Sequence, residues 1–162
     1  MTMGLTRPPV AKAEMLIHKT PDQVFEAFVD PAITSKFWFS KGSGKLEPGK
    51  QLRWDWQMYD FSVQVDVKVV ERARRIVITW SAYGAPTTIE WLFSSHGNDA
   101  TFVTITNNGF VGDGDSVVEQ AISSTEGFSF VLAGAKALLE HGVLLNLVPD
   151  RHPKGLSVLR SG

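Results

Sequence analysis

Apolar and polar residues alternate through most of the chain between Gly42 and Asn108. A period of two puts every second side chain on the same face of an extended strand. The stretch from Leu52 to Met58 alternates without interruption, and short turns separate it from four further alternating runs: Phe61 to Val69, Ile76 to Trp80, Ile89 to Phe93, and Val103 to Ile105. Consecutive strands joined by short turns predict an antiparallel meander with one covered and one solvated face.

A strand and two short helices are predicted ahead of this meander. The chain alternates from Val10 to Lys19, and one of the two sets is mostly apolar. Thr20 and Gln23 then have the spacing of a helix capping box, with a proline at the first helical position. Asp30, which also precedes a proline, predicts a second short helix that runs to Trp38.

The longest predicted element is a C-terminal helix. Ser116 and Glu119 have capping-box spacing, and Gly142 stands where a helix commonly ends. The apolar stretch from Val143 to Val148 is expected to fold back onto the body, and residues 151–162 are expected to be frayed. Steps of three and four predict that one helix face packs on the sheet through Val118, Ile122, Thr125, Phe128, Leu132, Ala135 and Leu139.

This order of elements predicts an α+β helix-grip fold. In it a curved antiparallel sheet of about six or seven strands holds the long C-terminal helix across its concave face. A chain of 162 residues is long enough for one domain with its own core. We expect that single domain to cover residues 10–142, with a lead-in of residues 1–9 and a C-terminal tail of residues 143–162.

Composition excludes several classes of function. The 16 basic and 17 acidic residues are too evenly balanced for a nucleic-acid-binding protein. The absence of cysteine excludes disulfides, thiolate catalysis and Cys-ligated metal sites. No apolar run approaches the roughly 18 to 20 residues of a membrane span, and the N-terminus lacks the apolar region of a secretory signal. We therefore expect a cytoplasmic protein with no membrane span and no nucleic-acid partner.

Three motifs hint at cofactor or metal chemistry, and each has a simpler interpretation. Residues 44–50 resemble a phosphate-binding loop, but Gln51 stands where Ser or Thr is needed and a strand follows instead of a helix. The acidic pair Asp113 and Asp115 lacks the further oxygen ligands of a calcium loop and is better explained as a helix start. The four histidines are not spaced as a metal pair. We expect neither a cofactor nor a metal site.

The five tryptophans are the strongest candidates for a functional site. Four of them fall on the apolar phase of their strands, and Trp38 lies on the second short helix. Such large rings either fill the space between sheet and helix or line a cavity for a hydrophobic ligand. We expect a cavity, with these candidate lining residues: Trp38, Trp54, Trp56, Trp80, Trp91, Asn107, Phe128 and Leu132.

Acid–base catalysis would require an ionisable side chain in the same interior. Asp55 and Glu90 fall on the phase opposite the tryptophans and are expected to be exposed. Asn107 shares the inward phase of its strand, but an amide cannot titrate, so its expected role is to orient a ligand. Binding is therefore favoured over catalysis, and a cyclase or hydrolase remains the less favoured alternative.

Several local motifs resemble those of one known family. They are the Val24–Pro31 stretch followed by Lys36-Phe37-Trp38, the Pro48-Gly49 turn before Leu52-Arg53-Trp54, Val69-Val70-Glu71 with Ile78-Thr79-Trp80, Thr101–Thr106 with Asn108-Gly109-Phe110, and Gly127-Phe128 with Leu138-Leu139-Glu140. Lys50 departs from the pattern, because the family has a second glycine there. Over residues 10–142 the chain resembles the activators of heat-shock protein 90 ATPase, homologue-like subgroup, of the START-like (SRPBCC, birch-pollen-allergen-like) superfamily.

The resemblance implies two functions. The first is binding of a small hydrophobic ligand between the sheet and the C-terminal helix. The alternative is a co-chaperone-type module that binds a chaperone, stimulates its ATPase and acts in the stress response. Eukaryotic activators carry an additional N-terminal chaperone-binding domain, for which we expect no room ahead of a strand that begins near residue 10. We expect a monomer or a homodimer.

Overall fold

The computed structural model describes residues 4–154 and contains a curled antiparallel sheet of seven strands. The strands are β1 Ala11–Ile17, β2 Lys41–Gly42, β3 Gln51–Trp56, β4 Phe61–Glu71, β5 Arg75–Tyr83, β6 Ala85–His96 and β7 Ala100–Asn108. Their spatial order is β1-β7-β6-β5-β4-β3-β2, so the first strand pairs with the last. The helices are α1 Pro21–Val29, α2 Pro31–Thr34, α3 Gly114–His141 and α4 Leu147–Arg151. The predicted helix-grip fold is confirmed.

The alternation of apolar and polar residues correctly predicts which side chains of the central strands face the interior, with two local exceptions. Val63, Val65 and Val67 of β4 are buried, but a β-bulge follows, so that Val70 and not Val69 packs against the core. A bulge adds one residue to a strand and therefore moves the following side chains to the opposite face. The alternating run that begins at Leu52 ends at Trp56, because residues 57–59 form a single 3-10 turn.

Both predicted short helices exist, and the second is shorter than expected. Thr20 and Gln23 form the predicted capping box of α1, and the Asp30 side chain caps α2. The prediction that α2 runs to Trp38 is wrong, because it ends at Thr34. A tight turn follows, the Ser40 N–H bonds to the Asp55 carbonyl of β3 at 2.8 Å, and β2 begins at Lys41.

The prediction for the start of α3 is wrong by about one turn. Asp113 is the N-cap, and its carboxylate accepts a 2.8 Å hydrogen bond from the Ser116 N–H. Ser116 therefore lies inside the helix and is not its cap. The acidic pair at the helix start has the expected structural role, since Asp115 lies in the first turn. The predicted end is confirmed, because Gly142 adopts the left-handed conformation with φ of 65°.

The buried face of α3 also differs from the predicted one in its first half. Ile122 is 65% exposed, whereas the residues that face the sheet are Val117, Ala121, Ser124, Phe128, Val131, Leu132, Gly134 and Ala135. The buried row also carries a hydrogen bond of 2.9 Å that the Ser124 hydroxyl donates to Asn107 on β7, which joins this face of the helix to the sheet.

The chain after α3 folds back over the body, but the expectation for Val143–Val148 holds only at its end, because Val143 and Leu145 are exposed. Asn146 takes a left-handed conformation with φ of 56°, and α4 follows at once. Val148 packs against the core, while Leu144 remains 62% exposed. The expectation that the chain is frayed from Arg151 onward is wrong for Arg151 itself. This residue ends α4, and its side chain bonds to Glu126 of α3 at 2.5 Å. Residues 155–162 of the predicted frayed tail lie outside the described part.

Candidate functional site

The five tryptophans Trp38, Trp54, Trp56, Trp80 and Trp91, here called the tryptophan cluster, are all buried between the sheet and α3. Trp38 is at the centre of the cluster. Its ring centroid lies 4.9 Å from that of Trp54, 5.9 Å from Trp80, 6.0 Å from Trp91 and 6.2 Å from Trp56. Phe128 of α3 closes the cluster at 5.5 Å from Trp38. The fold therefore brings these six candidate residues together.

Two different sequence features build this arrangement. Trp54, Trp56, Trp80 and Trp91 point inward because they share the buried phase of β3, β5 and β6. Trp38 comes instead from the turn after α2, which brings its ring beneath α3. The close approach depends on Gly134, because a Cβ there would lie only 3.1 Å from the Cβ of Phe37.

The rings fill much of the space expected to be a cavity, but not all of it. A cavity of 190 Å³ remains beside Phe128, and we call it the main cavity. Trp38 and Trp80 form its inner wall, Ser124 and Val131 belong to α3, and Val148 covers it from the C-terminal side. A more open cavity of 410 Å³ shares Trp80 and Val148 with it and is also lined by Trp56.

The remaining candidates lie behind these walls. Trp54, Trp91 and Leu132 are at most 1% exposed and pack in the core. They are absent from the linings of both cavities. Their contribution to the site is therefore to support the rings of Trp38 and Trp80.

Asn107 is buried and fully engaged by protein groups. Its amide nitrogen donates to the Thr87 hydroxyl at 3.0 Å and to the Thr88 carbonyl at 2.9 Å, and its amide oxygen accepts from Ser124. This network joins β6, β7 and α3. The expected role of Asn107 in orienting a ligand stays a prediction, and the structure gives the side chain a bridging role between sheet and helix.

Sequence reasoning missed the residues that close the site. Val148 lines the main cavity, the open cavity and a third cavity of 190 Å³ beside Met58. Tyr59 holds this residue in place by donating a 2.6 Å hydrogen bond to its carbonyl oxygen. Arg151, paired with Glu126, forms part of the rim. The sequence signal for these residues was the apolar stretch from Val143 to Val148, which predicted that the chain folds back but not which residues it contacts.

The described interior contains no buried ionisable side chain. Its buried polar residues are Thr34, Thr87, Thr101, Asn107 and Ser124. Asp55 and Glu90 lie on the opposite face of the sheet, half-buried instead of exposed, and each is paired with an arginine. Hydrogen bonds from Ser62 and from Arg53 hold the pKa of Asp55 below its usual value. Within residues 4–154 no group of three or more acidic or histidine side chains could bind a metal ion.

Two polar atoms inside the tryptophan cluster have no hydrogen-bond partner among the described residues. They are the indole N–H groups of Trp80 and Trp91. A buried indole N–H normally finds an acceptor. Both nitrogens have almost no accessible surface, so these two donors are closed to solvent as well.

Comparison with known proteins agrees with this architecture. The family model described as activator of Hsp90 ATPase homolog 1-like protein matches residues 18–140. The chain belongs to this family. Among proteins of curated function, none gives a significant match. Within the described residues, no helix of this family member is long and apolar enough to cross a membrane.

Solved structures resemble this activator-homologue family member over most of its length. The protein SSP2350 from Staphylococcus saprophyticus is 32% identical, with a TM-score of 0.74 over 85% of this chain and 96% of that one. The Aha1 dimer from Colwellia psychrerythraea is 16% identical, with a TM-score of 0.70 over 83% and 98%. PFC0360w, an HSP90 activator from Plasmodium falciparum, is 15% identical, with a TM-score of 0.62 over 81% and 96%. At these lower identities the likeness concerns the fold alone.

Proposed function

We propose that the protein binds a small hydrophobic ligand in the main cavity. The observation that carries this proposal is the 190 Å³ space bounded by Trp38, Trp80 and Phe128 and covered by Val148. An apolar cavity of about 150 Å³ in another protein is large enough to bind benzene. The space therefore suits a compound of one or two rings, whereas larger ligands usually occupy about 300 Å³ or more.

Binding is favoured over catalysis because Trp38, Trp80, Phe128 and Val131 give the cavity a mainly apolar wall, and Glu126 and Arg151 of its lining are paired with each other. The interior polar groups near it, Ser124 and Asn107, already bond to each other. Binding would be driven mainly by the transfer of apolar ligand surface from water to a preformed aromatic wall. We place this function in the cytoplasm.

The first experiment is native mass spectrometry of protein purified gently from its own host, compared with the denatured mass. An additional mass that is lost on denaturation supports the proposal and begins to identify the ligand. Titration with naphthalene, followed by tryptophan fluorescence, tests the cavity when the protein is isolated empty. Quenching that saturates is expected, because any ring in the main cavity would contact Trp38 or Trp80.

Gly127 provides a matched pair of variants for this titration. It lines the main cavity, and no atom lies within 4 Å of a Cβ built there. Gly127→Phe should block the cavity and reduce naphthalene binding at least about tenfold, whereas Gly127→Ala should leave binding unchanged. Equal binding by both variants would contradict the assignment of the ligand to this cavity.

A second candidate is a co-chaperone role, and family membership is the observation that favours it. One of the solved structures similar to this chain is an HSP90 activator, and another is the Aha1 dimer. This role would be linked to the stress response, with the protein acting as a monomer or homodimer. Stimulation of the ATPase of a heat-shock protein 90 from the same host would support it, and Gly127→Phe should leave that stimulation intact.

A further inference from the structure

Three cavities of the structure meet at Val148. This residue lines the main cavity, the open cavity and the third cavity, and no other described residue lines all three. The main and open cavities also share Trp80 and His152, whereas the main and third cavities also share Trp38. A single apolar side chain therefore lies where the spaces along the tryptophan cluster approach one another.

Val148 belongs to residues 143–152, here called the cover segment, which follows α3. The carbonyl oxygen of Val148 accepts the hydrogen bond from Tyr59 in the 3-10 turn, and Arg151 pairs with Glu126 of α3. The first three residues of the segment are exposed. The polar contacts that hold Val148 in place thus come from outside the paired strands, so the segment can shift while the sheet stays paired.

The position of Val148 limits how large a compound the main cavity can hold. With Val148 in place the main cavity measures 190 Å³, whereas the open cavity measures 410 Å³ and larger ligands usually occupy about 300 Å³ or more. Trp80 borders both cavities, so its ring would contact a flat compound that extends from one into the other. Displacement of Val148 would open this path along the aromatic wall.

We infer that Val148 sets the size limit of the ligand. With the cover segment in place the site takes apolar compounds of one or two rings, and a smaller or displaced Val148 side chain admits apolar compounds of three or four fused rings. This inference rests on the proposed ligand-binding function and adds to it the residue that selects ligands by size. The quantity that reports it is the affinity for a large ring compound relative to a small one.

Naphthalene and pyrene test the inference, because both are flat, uncharged hydrocarbons, with two and four fused rings. Titrations followed by tryptophan fluorescence give both affinities, and the wild-type protein should bind naphthalene more tightly. Val148→Ala should raise the affinity for pyrene relative to naphthalene at least about fivefold, because it relieves the overpacking that four rings cause. Val143→Ala makes the same change at an exposed residue of the cover segment that lines none of the three cavities, and it should leave the ratio unchanged.

Tyr59→Phe tests the same limit while keeping the Val148 side chain. Loss of the bond to the Val148 carbonyl should let the cover segment shift, so the relative affinity for pyrene should rise roughly three- to tenfold. An unchanged ratio in Val148→Ala, or in Tyr59→Phe if Val148→Ala does not fold, would overturn the inference, as would equally tight binding of both compounds by the wild-type protein. Failure of naphthalene to bind the wild-type protein would instead reject the proposed function itself.

Discussion

The hydroxyl of Tyr59 donates a 2.6 Å hydrogen bond to the carbonyl oxygen of Val148, 89 residues further along the chain. This bond attaches the segment after α3 to the 3-10 turn between β3 and β4 and places Val148 over the tryptophan cluster. Burial, and to a lesser extent the charge of Asp150, raise the pKa of the Tyr59 hydroxyl above its ordinary value. The donor therefore stays protonated through the neutral and mildly alkaline range.

Tyr59→Phe should loosen α4 while preserving the sheet. The variant keeps the ring but loses the bond to Val148, so we expect a loss of about 1 kcal/mol in the free energy of unfolding. Hydrogen exchange of the α4 amides, including the Asp150 N–H that bonds to Asn146, should accelerate more than exchange in β6. Tyr83→Phe, at a tyrosine that lines the main cavity, is the control. Unchanged exchange in α4 would show that Tyr59 does not hold the segment.

Local sequence patterns correctly predicted the features that depend only on residues close together in the chain. The capping box at Thr20 and the alternation through Val63 to Val67 depend on neighbours in the chain, and both are confirmed. The bulge after Val67 and the rotation of α3 depend on partners that the chain brings together only on folding. The hydrogen bond between Ser124 and Asn107 is such a case, because neither residue's local pattern reveals it.

The candidate site divides in the same way. Strand phase correctly placed Trp54, Trp80 and their neighbours in the interior. The size of the remaining cavity could not be predicted, because it depends on how far the Trp38 ring enters from its turn. The cover provided by Val148 could not be predicted either, since only the folded chain brings Tyr59 to it.

Asn107→Asp should destabilise the protein strongly. The amide nitrogen of Asn107 donates its two hydrogens to the Thr87 hydroxyl and the Thr88 carbonyl. In the variant, a carboxylate oxygen would lie against the Thr88 carbonyl oxygen, so two acceptors would face each other in a fully buried position. We expect a loss of at least about 2 kcal/mol, measured by urea unfolding. The neighbouring Asn108 is exposed, and Asn108→Asp should change stability by less than about 0.5 kcal/mol. Similar losses in both variants would mean that the buried network contributes little.

Two glycines of α3 should respond in opposite directions to alanine. Gly127 has open space where an alanine methyl group would lie, so Gly127→Ala should stabilise the helix by about 0.5 to 1 kcal/mol. At Gly134 the new Cβ would meet the Cβ of Phe37 at 3.1 Å and its carbonyl oxygen at 3.4 Å. Gly134→Ala should therefore cost about 1 kcal/mol or more despite the better helix former. Thermal unfolding of the two variants checks this, and stabilisation by both would show that the turn at Phe37 yields easily.

Glu140 and Lys136 of α3 form a hydrogen-bonded clasp with the end of β1. Glu140 accepts a 2.8 Å hydrogen bond from the His18 N–H and a 2.6 Å bond from Lys136, which also donates to the Leu16 carbonyl. Burial alone would raise the pKa of Glu140, but the hydrogen bonds from His18 and Lys136, together with the positive charge of Lys136, outweigh burial and hold the pKa below its ordinary value. The ionised form is thus favoured by folding.

The contribution of the Glu140 charge to the free energy of unfolding is therefore complete above the ordinary glutamate pKa of about 4.3. This contribution is lost as the pH falls through the lower pKa that Glu140 has in the folded state. Glu140→Gln should cost about 1 kcal/mol near pH 7. The difference from wild type should shrink as the pH falls from about 5 to 3. Glu119→Gln, at an exposed position of the same helix, should show no such convergence. A gap between wild type and Glu140→Gln that stays constant to pH 3 would mean that the clasp does not depend on the charge of Glu140.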